Sequence, residues 1–261
     1  MGRDIELQVD GWRALVAPEE GGRLRALTSL EGGRRFSWIK QLERHADVLV
    51  GGAGLWLAVP DRGPDQDGAG VVRAADQAQA VRQEPPHDPR LAALDSPWQL
   101  TELSPRCVTL IHGHRDPTGR AAGFQAHQVF RLGPRRLEIA VALRNLGRQP
   151  MELRMGLRLQ VPDGFSSTVT LDPAMAGTPR PARGTGLTRS DWGGRATLAM
   201  ADGRQIKLRV AGALPSLTLQ RHPERPWMTL TALTGPGSSQ RLASGDEWAV
   251  AMTMELLAAD D

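Results

Sequence analysis

Six stretches of the chain alternate apolar and polar residues with period two: "IELQVDGWRALVA" (5–17), "QLTELSPRCVTLIHGH" (99–114), "FQAHQVFRLG" (124–133), "RLEIAVALRN" (136–145), "ATLAMADGRQIKLRVAG" (196–212) and "EWAVAMTMEL" (247–256). Successive side chains point to opposite faces only in a strand, so each stretch predicts a strand or hairpin with one buried face. Turn residues punctuate them, as in "GPRR" (133–136), "ADGR" (201–204) and "TGPGSS" (234–239). No stretch sustains a capped 3.6-residue period, and the best helix candidate is "RAADQAQAVRQ" (73–83). Many short strands joined by hairpins bury their apolar faces by packing antiparallel sheets together. The expected fold class is therefore all-β, a large antiparallel β-sandwich. No composition shift, repeat or linker divides residues 1–261, so a single domain is expected. Its one excursion spans about 58–97, where Pro, Asp and Gly accumulate. Long loops in compact domains often serve function, and this one is expected to overhang a site.

Composition removes several function classes. The pI of about 9.9 suggests a nucleic-acid surface, yet 32 basic residues face 29 acidic ones and the net charge is only +3. Lysine occurs only at Lys40 and Lys207 and tyrosine not at all, so almost every positive charge is an arginine that stays ionised to about pH 12. A small excess of such charge carries the pI upward, and no basic block with interleaved aromatics accompanies it. No nucleic-acid partner is expected. Cys107, the lone cysteine, lies in the apolar run "CVTLI" and is expected to be a buried, inert thiol in a reducing compartment. The opening "MGRDIELQVDGW" has no apolar core of a leader, and no run approaches about 18 apolar residues. A cytoplasmic protein with no membrane partner is expected.

Local motifs carry little chemistry. His112 and His114 share a strand face and His127 lies on the next strand, a set of imidazoles that suits zinc. Without a nearby Cys or Glu pattern the set reads as a polar row on a strand, and neither metal nor cofactor is expected. No nucleophile elbow, zincin helix, P-loop or CxxC occurs. "GGAG" (51–54) runs into the strand-like "GLWLAV" and opens no helix that would cradle a phosphate. The seven tryptophans are dispersed and are expected to fill mostly core. One stretch stands out: "RNLGRQPMELRMGLRLQV" (144–161) reads as two strands joined by a turn, and the second carries Arg154 and Arg158 among Met and Leu.

Several segments, in order, resemble the aldose 1-epimerase family of galactose mutarotase-like proteins. "VAPEEGGRLRALTS" (16–29) is similar to its opening and 95–132 to its middle, with a Trp-containing strand and an aromatic after a Gly. "LEIAVALRNLGRQPMELRMGLR" (137–158) resembles its strand ending in Asn-x-Gly, its Pro-Met turn and its strand running to Gly-Leu-His. "DWGGRATLAMADGRQIKL" and the run from "SLTLQRHPERPWMTLTALTGPG" to "EWAVAMTM" extend the likeness to the C-terminus. The resemblance implies an antiparallel supersandwich and anomer interconversion, in which a carboxylate takes the C1 hydroxyl proton while a histidine protonates the ring oxygen.

Carried over residue by residue, the family's histidine falls on Arg158 and its carboxylate base on Thr231. A guanidinium has no accessible deprotonated form and a threonine hydroxyl does not ionise near neutrality, so neither performs those steps. The family's first histidine falls on Arg90, with His87 the nearest true histidine, and Arg62 is the closest counterpart of its Asn-Arg segment. The resemblance therefore implies a carbohydrate-binding protein with weak or no epimerase activity. Arg158, Thr231, Arg90, His87 and Arg62 are its substrate-binding candidates, and an arginine pocket suits an acidic or phosphorylated sugar. Two alternatives fit the same residues. One is an active epimerase with relocated groups, using His87 or His222 with Asp191 or Glu224. The other is a scaffold that binds no sugar and exposes an apolar patch instead.

Overall fold

The computed structural model describes residues 3–45, 48–50, 52–58, 96–114, 123–166, 168–172, 186–212, 214–222, 226–234 and 240–259. The helix candidate at 73–83 and all of the 58–97 excursion except Ala58, Ser96 and Pro97 lie outside them. Two large antiparallel sheets form a sandwich. The ten-stranded sheet contains β1 (Ile5–Val9), β2 (Trp12–Ala17), β3 (Arg23–Glu31), β4 (Arg34–Ser37), β7 (Ala53–Ala58), β12 (Met151–Pro162), β14 (Gly186–Arg189), β17 (Ser216–Arg221), β18 (Trp227–Leu233) and β19 (Gln240–Leu242). Its main path runs β1-β2-β3-β7-β12-β18-β17-β14, with β4 on β3 and β19 on β12. The eight-stranded sheet contains β8 (Gln99–Ser104), β9 (Cys107–His114), β10 (Phe124–Gly133), β11 (Arg136–Asn145), β13 (Thr168–Asp172), β15 (Arg195–Ala199), β16 (Gln205–Ala211) and β20 (Glu247–Leu257). Its order is β13-β15-β16-β20-β11-β10-β9-β8. A small pair, β5 (Glu43–His45) and β6 (Val48–Val50), and one 3₁₀ turn, Asp163–Ser166, complete the described elements.

The alternating stretches become hairpins where the sequence supplies the turn. Asp10 and Gly11 both take positive φ (44° and 80°), which the two-residue turn between β1 and β2 requires to match strand twist. Between β10 and β11, Pro134 is followed by Arg135 at φ 54°, so Pro fixes the first corner and Arg135 bears the left-handed second one. In β10 and β11 alternate residues from Phe124 to Leu132 and from Leu137 to Leu143 are buried, and these rows meet Leu24, Leu55, Met155, Leu157 and Leu159 of the other sheet in one core.

Polar side chains inside the sandwich stitch particular strands. Asn145 is wholly buried; its amide donates to the carbonyls of Gln149 and Leu242 at 2.9 Å, and its Oδ1 accepts the Gly147 N–H at 2.8 Å. The Asn-x-Gly sequence thus closes the turn between β11 and β12 and ties it to β19. Gln128, also wholly buried on β10, crosses between the sheets: its Oε1 accepts the Leu55 N–H of β7 at 3.0 Å and its Nε2 donates to the Gly21 carbonyl at 3.3 Å. Arg221 at the end of β17 grips Asp163 through two hydrogen bonds of 2.8 and 2.6 Å, and that contact, working against burial, raises its already high pKa. Arg204 links the sheets through Glu31 at 3.0 Å; burial works against its charge, but Glu31 and Asp202 outweigh it and its pKa is raised.

Candidate functional site

Strand β12 divides its residues by parity. Met155, Leu157, Leu159 and Val161 enter the core, while Arg154, Arg158 and Gln160 stand half-buried on the sheet's other face. That parity answers why arginines sit among Met and Leu: they occupy the outer face of a strand that is central in its sheet. Arg158 lies opposite Gly54 of β7 on one side and Thr231 of β18 on the other. Thr231 lies opposite Thr218 of β17, which lies opposite Thr188 of β14, and the Thr188 and Thr218 hydroxyls are 3.2 Å apart. One guanidinium and a line of hydroxyls therefore cross the sheet in a single register row. A neighbouring row holds Gln160, Thr229 and Gln220, with the Gln160 amide donating to Thr229 Oγ1 at 3.0 Å.

Two glycines allow this packing. A Cβ at Gly156, between Arg154 and Arg158 on the same face, would overlap the Ala232 carbonyl of β18. At Gly54, with φ 152°, a Cβ would lie 2.9 Å from Gln128 Oε1 and would block the inter-sheet bond to Leu55. One end of the face is closed by Trp227, which is buried, with the His222 ring 5.1 Å from it and Lys40 Nζ 5.5 Å from its centroid. Lys40 also pairs with Glu43 at 2.8 Å. The other end carries Arg154 and Glu152.

The structure brings Arg158 and Thr231 together as direct cross-strand partners. Arg62, His87, Arg90 and Glu224 lie outside the described residues. His222 and Asp191 are not brought together: Trp192 binds the carbonyl of Pro215, seven residues before His222, so the two side chains start ~23 Å apart along β17. In the five strands β7, β12, β14, β17 and β18 the one carboxylate is Glu152. It is six residues, ~20 Å, from Arg158, and so supplies no base beside it.

Register corrects the imidazole reading. His112 lies opposite Ala126, on the buried parity of β10, whereas His127 lies opposite Ile111 and faces the other way. His112 instead packs against Trp98, 5.5 Å between centroids, and its Nδ1 is 3.2 Å from the Pro97 carbonyl. Cys107 is half-buried rather than buried, because it pairs with Arg131 on the outward parity while Val108 and Leu110 take the inward one. Trp12, Trp38, Trp98, Trp192 and Trp248 are buried in the core, as expected, whereas Trp227 is buried on the outer face of the ten-stranded sheet. Sequence reasoning noted Arg154 beside Arg158 without making it a binding candidate, and did not single out Gln160, Thr188 or Thr218. For Arg154 the signal was present, since four residues in a strand return a side chain to the same face as Arg158.

Against solved structures, this arrangement matches the Slr1438 protein of Synechocystis sp. PCC 6803 with TM-score 0.73 and 16% identity, covering 98% of this chain and 96% of that one. A galactose mutarotase-like protein from Lactobacillus casei matches with TM-score 0.68 and 16% identity, over 98% and 100% of the two chains. An aldose epimerase homologue from C. elegans matches with TM-score 0.65 and 11% identity, over 98% of each. This chain has the galactose mutarotase-like fold. No family model and no curated protein matches it in sequence. The likeness is thus one of architecture along almost the whole chain. Among the described residues no helix is long and apolar enough to cross a membrane.

Proposed function

We propose that this chain binds a carbohydrate on the outer face of the ten-stranded sheet, with weak or no epimerase activity. The pairing of Arg158 with Thr231 carries the reading: the fold's acid and base positions, as the resemblance aligns them, are direct neighbours here and neither residue exchanges a proton near neutrality. The hydroxyls of Thr231, Thr218 and Thr188 and the amides of Gln160 and Gln220 suit the hydroxyls of a sugar. Arg158 suits a ligand with an acidic or phosphorylated group through paired, charge-assisted hydrogen bonds.

Proton NMR saturation transfer between the anomeric signals of glucose, galactose and their 6-phosphates tests this. Expected are anomer exchange close to the buffer rate and broadening of at least one sugar's signals, lost in Arg158→Ala. Exchange well above buffer would instead support an epimerase with relocated groups. That second reading has one observation in its favour, the contact of Trp227 with both His222 and Lys40, which pairs with Glu43. His222→Ala would then abolish the exchange. No exchange and no broadening with any of the four sugars would remove both readings for that panel.

A further inference from the structure

Arg154 is the one half-buried arginine among the described residues without a counter-group. Arg13 pairs with Glu6, Arg25 with Asp4 and Glu20, Arg204 with Glu31 and Arg221 with Asp163. Arg23, Arg158 and Arg189 also have partners. No hydrogen bond or ion pair reaches the Arg154 guanidinium among the described residues, and its Nε is shielded from solvent with no acceptor. Its nearest acid on the same strand face, Glu152, is exposed, lies ~7 Å away between Cα atoms and forms no ion pair with it; Glu152 faces Arg241 of β19 instead. Holding a permanently charged donor partly out of water without an acceptor is costly, and no described residue nearby offsets it.

We infer that Arg154 is an anion subsite, taking the phosphate or carboxylate of the sugar whose ring lies over Arg158, Thr231 and Gln160. Arginine presents a planar fork of donors that matches both groups in bidentate fashion. Arg154 and Arg158 share a face and their Cα atoms are ~13 Å apart along β12, a gap that a ring with an exocyclic anion bridges between two long side chains. Gly156 between them adds no side chain of its own, and the Leu233 side chain of β18 lies beside it as an apolar floor between the two guanidinium groups. The inference rests on the carbohydrate reading and deepens it: the acidic group is assigned to Arg154, leaving Arg158 to the ring and its hydroxyls.

Calorimetric titration of the full chain with glucose, glucose 6-phosphate, glucuronate and inorganic phosphate tests it, in wild type, Arg154→Gln and Arg154→Lys. The expected result is that at least one anionic sugar binds about tenfold or more tighter than glucose. That ratio should fall to about one in Arg154→Gln and partly survive in Arg154→Lys. The larger advantage, glucose 6-phosphate or glucuronate, identifies the anion as phosphate or carboxylate. Equal affinity for glucose and both anionic sugars in wild type, or a ratio unmoved by Arg154→Gln, overturns the inference while leaving carbohydrate binding intact. Binding of inorganic phosphate that Arg154→Gln removes, with no sugar adding to it, supports the subsite and refutes the carbohydrate reading. No binding of any probe refutes both. Circular dichroism melting of each variant separates lost binding from lost folding.

Discussion

Each sheet has an outer face, and the two faces are built differently. On the eight-stranded sheet Val129, Ala140, Ala251 and Ala211 form one register row, with His127, Ala142 and Ala249 beside it, lining a shallow trough of about 420 Å³. The charges around it include pairs, Arg131 with Glu138 at 3.1 Å and Arg195 with Asp172 at 3.5 Å. On the ten-stranded sheet the corresponding face carries a half-buried Arg154 with no counter-charge among the described residues, Arg158, and rows of hydroxyls and amides. Paired charge at a surface needs no ligand to explain it, whereas a partly desolvated cation left alone does. The face whose polar groups are not all satisfied internally is the one to search for a ligand.

Four substitutions test that contrast. Asp163→Asn removes the carboxylate charge that grips the buried Arg221, and should cost about 3–5 kcal/mol of stability in urea unfolding. A loss under 1 kcal/mol would mean that pairing is a poor guide here. Gln128→Ala leaves the Leu55 N–H without its acceptor between the sheets, with an expected loss of about 1–3 kcal/mol by the same measurement. Arg154→Met should act in the opposite sign: removing a lone half-buried charge is expected to raise stability by about 0.5–1 kcal/mol in the absence of ligand, a trade of stability for function. A destabilised Arg154→Met would show the guanidinium to be structural. Arg131→Gln, on the alanine-bearing face, breaks only an exposed pair and should change the unfolding free energy by less than about 0.5 kcal/mol.

Much of the fold could be read from alternation because antiparallel strands with one solvated face write their burial into period two. The hairpins of β1 with β2, β10 with β11, and β15 with β16 follow from that and from their turn residues. Strand β18 shows why the rest could not: its residues Trp227 to Ala232 are nearly all shielded, so no alternation survives, and the family resemblance alone suggested it. Arg158 and Thr231 were named by the resemblance alone and their pairing appears only in the register, since they are 73 positions apart and no local pattern joins them. The polar-row reading of the histidines failed on register. A one-residue offset between β9 and β10 sends His127 to the opposite face from His112, and a sequence does not print its offsets.

Gln128 also limits how this protein can change. It stands between His127 and Val129 of the trough, yet its amide ends against Gly54, the cross-strand neighbour of Arg158. A larger residue at 54 collides with Gln128, and a smaller one at 128 strands the Leu55 N–H. Positions 54 and 128 are thus locked as a unit, and a lineage or an engineer wishing to reshape the floor beside Arg158 must first rewrite the opposite sheet.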